Sequence, residues 1–250
     1  SLPCEGDMIP DPAQAARRIT DRTKAIVLVS PNNPCGVEYP ADTILAFYNL
    51  AKSHGLALII DETYRDFHSQ SGPPHSLFEQ EDWQNTLISL YSFSKAYRLT
   101  GHRVGAIVAG ETRLAQIEKF LDTVTICPSQ LGQKAALWGM QNLSDWLGQE
   151  RREILTRRQA IIDNFPTLAA KGWRLLGLGA YFAYLEHPFD TDATELAQNL
   201  VAEAAVLALP GSMFVPAGDE TGRRHMRIAF ANISAEMIVV LFDRMAQVSQ

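Results

Sequence analysis

The sequence predicts an α/β fold: a mostly parallel sheet covered by helices on both faces, followed by a smaller α+β domain. Two apolar runs of strand length, AIVLV at 25–29 and LALII at 56–60, lack polar alternation, as expected of strands buried on both faces. A helical pattern separates them, and this order is typical of parallel pairing. Near Gly172 short strand patterns begin to alternate with helices. We therefore predict a larger domain over residues 1–171 and a smaller one over 172–250.

The larger domain begins with a proline-rich extended stretch and a short helix predicted over 13–19. A second helix is predicted over 41–53, with its apolar residues on one face and Gly55 as its terminator. A third apolar run at 87–91 and a strand over 103–110 complete the predicted sheet. The pattern leaves the pairing direction of the last strand open.

The rest of the chain divides into a helical region and a mixed one. Residues 111–171 are predicted to be helical with breaks near Pro128 and Ser144, and their last part is long and charged enough to bridge two parts of the molecule. The smaller domain is predicted to contain strands over 173–176, 180–186 and 226–231 and helices over 194–204 and 234–248.

Composition and charge exclude several classes of protein. The chain of 250 residues has a formal net charge of −6 and no basic stripe, which argues against a nucleic-acid partner. No apolar run reaches the roughly eighteen residues that a membrane span requires. Cys4, Cys35 and Cys127 lack a CxxC spacing, so we expect neither a disulfide framework nor a metal site, and a reducing cytoplasm fits best. We also expect that part of the larger domain precedes Ser1.

Polar residues follow three of the predicted strands. Asn33 follows the first run, Asp61 and Tyr64 follow the second, and the segment from Ser92 to Lys95 follows the third. In parallel sheets the carboxyl ends of the strands share one edge, and ligands bind beyond that edge. The sequence therefore predicts that these side chains lie close together at a ligand site.

Lys95 is the residue around which the predicted site is organised. It follows an apolar run, with hydroxyls at Ser92 and Ser94 before it and guanidinium groups at Arg98 and Arg103 after it. Partial burial and nearby positive charge both lower the pKa of an amine, which favours attack on a carbonyl carbon. Arginine and serine also bind phosphate. An aldehyde that carries a phosphate, such as pyridoxal phosphate, would use both properties.

The motif SFSKAYRLTGHRVG, residues 92–105, resembles that of the fold-type I pyridoxal-phosphate enzymes and, within them, the class I and II aminotransferases. The resemblance implies that Lys95 forms a Schiff base with pyridoxal 5'-phosphate and that Arg103 and Ser92, with Ser94 as a weaker candidate, bind its phosphate. It also implies a large domain of this family's type, incomplete here because a glycine-rich phosphate turn and a ring-stacking aromatic residue are not found. Arg98 departs from the pattern, since the family has a small residue there.

Two further motifs resemble the segments that contact the cofactor ring in this family. Asp61 opens DETY, where the family's aspartate pairs with the pyridinium nitrogen and its tyrosine, here Tyr64, contacts the ring's phenolic oxygen. A carboxylate near the pyridinium nitrogen keeps the ring an electron sink. Asn33 lies in SPNNPCG, which resembles the family's SPNNPTG turn, and the resemblance implies that it contacts both the ring and the substrate carboxylate. Gly36 permits an unusual backbone dihedral in that turn.

Arg227, in HMRIAFAN, occupies the place of the family's carboxylate-binding arginine, preceded by PGSMF at 210–214. Bidentate contact with an α-carboxylate would orient an amino acid over the ring. The resemblance implies an aminotransferase that moves an amino group between an L-amino acid and a 2-oxo acid, as a homodimer. Two alternatives stay open: a β-lyase or decarboxylase on the same scaffold, and an aminotransferase-like domain that senses a ligand without turnover. The amino donor and acceptor are not readable.

Overall fold

The structure is a computed structural model that describes residues 6–248. Its first sheet contains β1 (Ala25–Val29), β2 (Ala57–Asp61), β3 (Leu87–Ser92) and β4 (Gly105–Ala109), in that spatial order. β1, β2 and β3 are parallel, as predicted, because each pair is joined by a long connection. β4 runs antiparallel to β3, which answers the question that the sequence pattern left open.

The helices of this region are α1 (Pro12–Ala16), α2 (Ala41–Ser53) and α3 (Phe93–Ala96). α2 has the predicted bounds, and its buried face contains Ile44, Phe47, Tyr48 and Ala51. α1 is shorter than the predicted 13–19 helix, because the chain leaves helical hydrogen bonding at the C-cap residue Arg17. α3 is a single turn whose N-cap is Ser92.

Three helices follow β4: α4 (Glu111–Val124), α5 (Gln130–Asn142) and α6 (Ser144–Ala169). The breaks predicted near Pro128 and Ser144 are confirmed. α4 buries none of its residues, so its apolar side chains face outward. Among the described residues, no helix is both long and apolar enough to cross a membrane.

The second sheet contains β5 (Arg174–Gly179), β6 (Phe182–Glu186), β7 (Leu209–Pro210) and β8 (His225–Ala229), in the order β5-β6-β8-β7, with every pair antiparallel. α7 (Ala193–Ala204) and α8 (Ala235–Gln247) accompany it. The strand predicted from residue 180 begins at Phe182, because Ala180 has a positive φ of 46° and belongs to the β5–β6 turn. β7 was not predicted, since a two-residue strand has no periodicity.

Two large groups of buried apolar residues stabilise the two sheets. One lies between α2 and the first sheet and includes Phe47 and Ile60. The other lies between the second sheet, α6 and α8, and it also includes Tyr64, Phe67 and Ala96 from the first half of the chain. Tyr64 is therefore packed against the second sheet, although its backbone follows a strand of the first. The division into domains at residue 172 stays a prediction.

Candidate active site

The carboxyl ends of β1, β2 and β3 lie side by side at one edge of the first sheet. Val29 pairs with Asp61, and Asp61 pairs with Leu90. Beyond these pairs the Ser30 N–H donates to the Asp61 carbonyl at 3.0 Å, and the Glu62 N–H donates to the Leu90 carbonyl at 2.8 Å. The segments that carry Asn33, Asp61 and Lys95 therefore leave the sheet from adjacent strands.

The turn that carries Asn33 is held by its neighbour Asn32. The Asn32 side-chain oxygen accepts from the Cys35 N–H at 3.1 Å, and its carbonyl accepts from the Gly36 N–H at 2.8 Å. Gly36 has a φ of +74°, and a Cβ there would lie 2.5–2.7 Å from backbone atoms of Gly179 and Phe182. The turn thus packs backbone to backbone against the β5–β6 turn of the second sheet, which only glycine permits.

This packing brings Asn33 to Arg227. The Arg227 Nη1 donates to the Asn33 Oδ1 at 2.8 Å, although the two residues are 194 positions apart. The guanidinium carbon lies 4.6 Å from the ring centroid of Phe182 and 4.7 Å from that of Phe214. Its Nε is buried and has no hydrogen-bond partner among the described residues. Arg227 therefore presents a fixed cation with unused donor capacity.

Tyr64 lies beside this arginine. Its ring contacts those of Tyr181 and Phe182, and the centroid of each of these rings lies 5.3 Å from that of Tyr64. Burial raises the pKa of Tyr64 to about 12, the Arg227 charge opposes the shift and the Asp61 charge adds to it. The phenol therefore keeps its proton at neutral pH. Burial likewise lowers the pKa of Arg227, with Tyr64 acting in the opposite direction, but a guanidinium remains charged at neutral pH.

Asp61 is oriented by Thr63, a residue that the sequence analysis did not single out. Its Oδ1 accepts from the Thr63 N–H at 2.9 Å and from the Thr63 hydroxyl at 2.6 Å. Its Oδ2 makes no hydrogen bond within the part of the chain that the structure describes. The D-x-T spacing is typical of such a turn and could have indicated Thr63. One carboxylate oxygen thus fixes the side chain and the other is available to a ligand.

Lys95 lies in α3, half-buried between the buried residues Ser94 and Ala96. Its carbonyl accepts from the Tyr97 and Arg98 N–H groups at the end of the helical turn. Its ammonium makes no hydrogen bond or ion pair within residues 6–248. The Ser92 hydroxyl accepts from the Ser94 N–H at 3.3 Å, which leaves its own O–H as a donor.

Arg103 lies at the amino end of β4, exposed and with a positive φ of 53°. Its Nη1 donates to the Thr100 carbonyl at 3.0 Å. Ser92, which pairs with Gly105 across β3 and β4, connects the Arg103 loop to α3. The structure joins Asn33 and Arg227 by a direct hydrogen bond, and Arg227 and Tyr64 both contact the ring of Phe182, whereas Arg103 lies on the adjacent loop.

The donor set fits pyridoxal phosphate. An amine without a partner among the described residues at Lys95, an available carboxylate oxygen at Asp61 and a protonated phenol at Tyr64 match an aldehyde, a pyridinium nitrogen and a phenolic oxygen. Arg103 and Ser92 supply the charge and the hydroxyl that a phosphate requires. The Arg227 guanidinium, whose Nε has no partner among the described residues, retains donor capacity that a carboxylate could use.

Comparison with known proteins agrees with this site. The family model for aminotransferase class I and II matches residues 3–245. An aspartate/prephenate aminotransferase of Thermus thermophilus is 29% identical over 99% of the chain and 62% of its own length. An aspartate aminotransferase of Sulfolobus acidocaldarius is 28% identical over 86% of the chain and 53% of its own length.

A solved structure has the same fold. A tetra mutant of the Thermus thermophilus aspartate aminotransferase superposes with a TM-score of 0.85 at 27% identity, over 98% of this chain and 65% of that one. The chain thus spans between about half and two thirds of the length of these relatives. Members of this family use pyridoxal phosphate. Since the family model covers nearly the whole sequence and the structure reproduces the fold, the chain belongs to the class I and II aminotransferase family.

Proposed function

We propose that the protein is a pyridoxal-phosphate-dependent aminotransferase that moves an amino group between an L-amino acid and a 2-oxo acid. The observation that carries the proposal is the hydrogen bond of 2.8 Å between Arg227 and Asn33, next to the buried phenol of Tyr64. It brings a carboxylate-binding cation together with the residues suited to the cofactor ring. The relatives from Thermus thermophilus and Sulfolobus acidocaldarius are both named aminotransferases, which supports the same reaction class.

The cofactor, when bound, supplies an electron sink that stabilises negative charge at the substrate's α-carbon. The groups that we propose to hold it are a cation and a hydroxyl for the phosphate, Arg103 and Ser92, with Ser94 as the weaker candidate. We assign the pyridinium nitrogen to Asp61. An opposite charge about 4 Å away is worth about 4 kcal/mol at an effective dielectric of 20, enough to keep that nitrogen protonated.

Arg227 and Asn33 bind the substrate carboxylate. The fork of Arg227 donates through two nitrogens, and the Asn33 amide adds a hydrogen bond from the first sheet. The rings of Phe182 and Phe214 flank the guanidinium and limit its contact with water, which strengthens its attraction for an anion. The substrate is thereby oriented before the chemical step.

Lys95 moves the proton. Its Nζ, as a free amine, accepts the proton from the substrate's α-carbon, and the same nitrogen, as a general acid, would then donate it to the cofactor's C4′ carbon. The Tyr64 phenol keeps its own proton at neutral pH and serves as a hydrogen-bond donor instead of a competing base. Division of these roles between Lys95 and Tyr64 avoids a second base beside the reacting carbon.

The test is an absorption spectrum of the purified protein with added pyridoxal phosphate, followed by product analysis. We expect a visible absorption band that borohydride removes, absent in Lys95→Ala and retained in Lys171→Ala, whose lysine is exposed at the end of α6. With an L-amino acid and a 2-oxo acid we expect a new amino acid. Ammonia or carbon dioxide as the product, or cofactor binding without turnover, contradicts the proposal.

We further propose that two copies of the chain associate. α4 and α5 expose large apolar side chains, among them Phe120 at 65%, Leu131 at 75% and Trp138 at 57%. Exposed apolar area of this kind is typical of protein interfaces. Light scattering after gel filtration should give the mass of a dimer, and Trp138→Glu should shift it toward a monomer.

The proposed location is the cytoplasm. Cys127 is exposed and makes no disulfide within residues 6–248, and exposed thiols persist in a reducing compartment. Cell fractionation with the native protein should recover it with cytoplasmic markers, and recovery with an oxidising compartment contradicts the proposal.

A further inference from the structure

The residues of the proposed site lie on four segments, and one helix is bonded directly to the stretches that follow three of them, those that carry Tyr64, Lys95 and Arg227. α6 contributes Glu150, Arg151 and Arg157, and none of these three makes a hydrogen bond or ion pair with Asn33, Tyr64, Lys95 or Arg227 in the described structure. We propose that these three side chains are positioning residues that set where the three segments lie relative to one another. The functional half of this inference rests on the aminotransferase proposal above.

Arg151 holds the segment that follows Tyr64. Its Nε donates to the His68 carbonyl at 2.9 Å, and its Nη2 donates to the Ser69 carbonyl at 3.0 Å. Two bonds from one planar group to consecutive carbonyls fix both the position and the direction of that backbone. The segment that carries Tyr64 is thereby tied to α6.

The same contact reaches the Asn33 turn through Glu38. The Glu38 Oε1 accepts from the Ser69 N–H at 2.7 Å, and its Oε2 accepts from the Ser69 hydroxyl. Glu38 follows the Asn33 turn directly and is mostly buried at this contact. Arg151 therefore acts on Asn33 as well as on Tyr64, with Ser69 as the shared residue.

Glu150 holds the segment that follows Lys95. Its Oε2 forms an ion pair with Arg98, whose guanidinium carbon also lies 5.5 Å from the ring centroid of Trp146 on the same helix. The Arg98 N–H donates to the Lys95 carbonyl at 3.3 Å. This gives the one departure from the family motif a physical role, because a small side chain at position 98 could not reach α6.

Arg157 holds the segment that follows Arg227. Its Nη1 donates to the Ala231 carbonyl just beyond β8, and Glu153 fixes the guanidinium through its Oε1, 3.0 Å from Nε. Glu150 and Arg157 lie seven residues apart, about two helical turns or roughly 10 Å along the axis, so they point to the same side of α6. Ile154 and Ile161 fix the rotation of α6 about its own axis independently, because both are buried in the apolar group between the second sheet, α6 and α8.

The test compares Arg151→Gln, Glu150→Gln and Arg157→Gln with Arg152→Gln, a control on the same helix whose side chain is exposed. The first readout is amide hydrogen exchange of the cofactor-free protein, measured by mass spectrometry. We expect faster exchange over 62–70 in Arg151→Gln, over 93–103 in Glu150→Gln and over 228–234 in Arg157→Gln, with α6 itself unchanged. The control should match the unsubstituted protein.

The second readout is steady-state kinetics with added pyridoxal phosphate. Since a misplacement of about 1 Å in a site can cost roughly 100-fold in rate, we expect Arg151→Gln to lower kcat about 10- to 100-fold, with KM for the amino acid changed less than about threefold. Arg151→Lys, which can donate to only one of the two carbonyls at a time, should recover part of the loss. It also serves as the variant to measure if Arg151→Gln does not fold.

The outcomes separate the two proposals. Unchanged exchange in the three segments, or faster exchange spread evenly over the whole chain, overturns the positioning role. So does a kcat of Arg151→Gln equal to that of Arg152→Gln. If the unsubstituted protein transfers no amino group, the proposed function has failed, and the segment-specific exchange pattern still decides whether α6 positions the site.

Discussion

Gly36→Ala tests the backbone packing that brings Asn33 to Arg227. At this position φ is +74°, and an added Cβ would lie 2.5 Å from the Phe182 carbonyl oxygen and 2.6 Å from the Gly179 nitrogen. Gly55 provides a matched control, because its φ is +63° and a Cβ added there would have no described neighbour within 4 Å. The two substitutions share the dihedral cost and differ only in the steric contact.

The magnitudes follow from these contacts. A left-handed dihedral costs an L-residue roughly 1–2 kcal/mol, so we expect Gly55→Ala to lower the free energy of unfolding by about that amount. Overpacking against backbone adds about 1–3 kcal/mol, which places Gly36→Ala at about 2–5 kcal/mol. For a chain of this size each kcal/mol lowers Tm by about 2–4 °C.

The assay is urea unfolding of both variants and of the unsubstituted protein, monitored by fluorescence. Gly36→Ala should also raise KM for the amino acid, since separation of the two turns moves Asn33 away from Arg227. Gly55→Ala should leave KM unchanged. Equal urea midpoints for the two variants would refute the inference that the turn packs directly on the second sheet.

Three further predictions concern charges in and beneath the site. Arg227→Lys, which loses the fork, should raise KM for the amino acid about 10- to 100-fold, because a charge-assisted hydrogen bond is worth about 1.5–3 kcal/mol, and an unchanged KM contradicts the assignment. The pKa of Tyr64 is raised to about 12, so this residue contributes stability that is complete below the ordinary tyrosine pKa of about 10 and is lost as pH rises toward 12. Urea titrations of Tyr64→Phe should therefore show a smaller decrease of the free energy of unfolding between about pH 10 and 12 than those of the unsubstituted protein. Ser89→Ala removes a 2.6 Å hydrogen bond to the buried Glu62 carboxylate and should destabilise the protein by about 1.5–3 kcal/mol at pH 7. Burial opposes ionisation of Glu62, but the His75 ring, whose Nε2 lies 3.4 Å from Oε1, and the hydrogen bond from Ser89 outweigh it and hold the pKa of Glu62 below its ordinary value. The effect of Ser89→Ala should therefore shrink as pH falls through that pKa, and a pH-independent effect contradicts this account.

Much of the fold could be predicted because its signals are local. The runs at 25–29 and 56–60 are continuous and apolar, and the resulting β1 and β2 are parallel. β2 is largely buried as this pattern predicts, whereas for β1 the prediction is wrong in this respect, because Val27 is 61% exposed. The bounds of α2 agree with its apolar periodicity. The polar tips after each strand then indicated the candidate site, since parallel strands end at a common edge.

The remaining features depend on contacts between distant parts of the chain. The direction of β4 and the existence of β7 follow from pairing partners and not from their own short sequences. Arg151 belongs to a charged helical pattern in which any arginine could have been solvated, and only the fold shows that it reaches the carbonyls of His68 and Ser69. Arg98 was recognised as a departure from the family motif, but its partner Glu150 lies 52 positions away.

The bond between Asn33 and Arg227 has a consequence for biosynthesis. Because it joins positions 194 residues apart, a ribosome must complete nearly the whole of this sequence before the proposed carboxylate-binding group exists. A nascent chain interrupted before β8 can already contain Lys95, Asp61 and Tyr64, yet it lacks Arg227, the cation that we propose binds the substrate carboxylate. Premature termination or proteolytic loss of the last strand and helix should therefore yield fragments that lack substrate recognition rather than enzymes of altered preference.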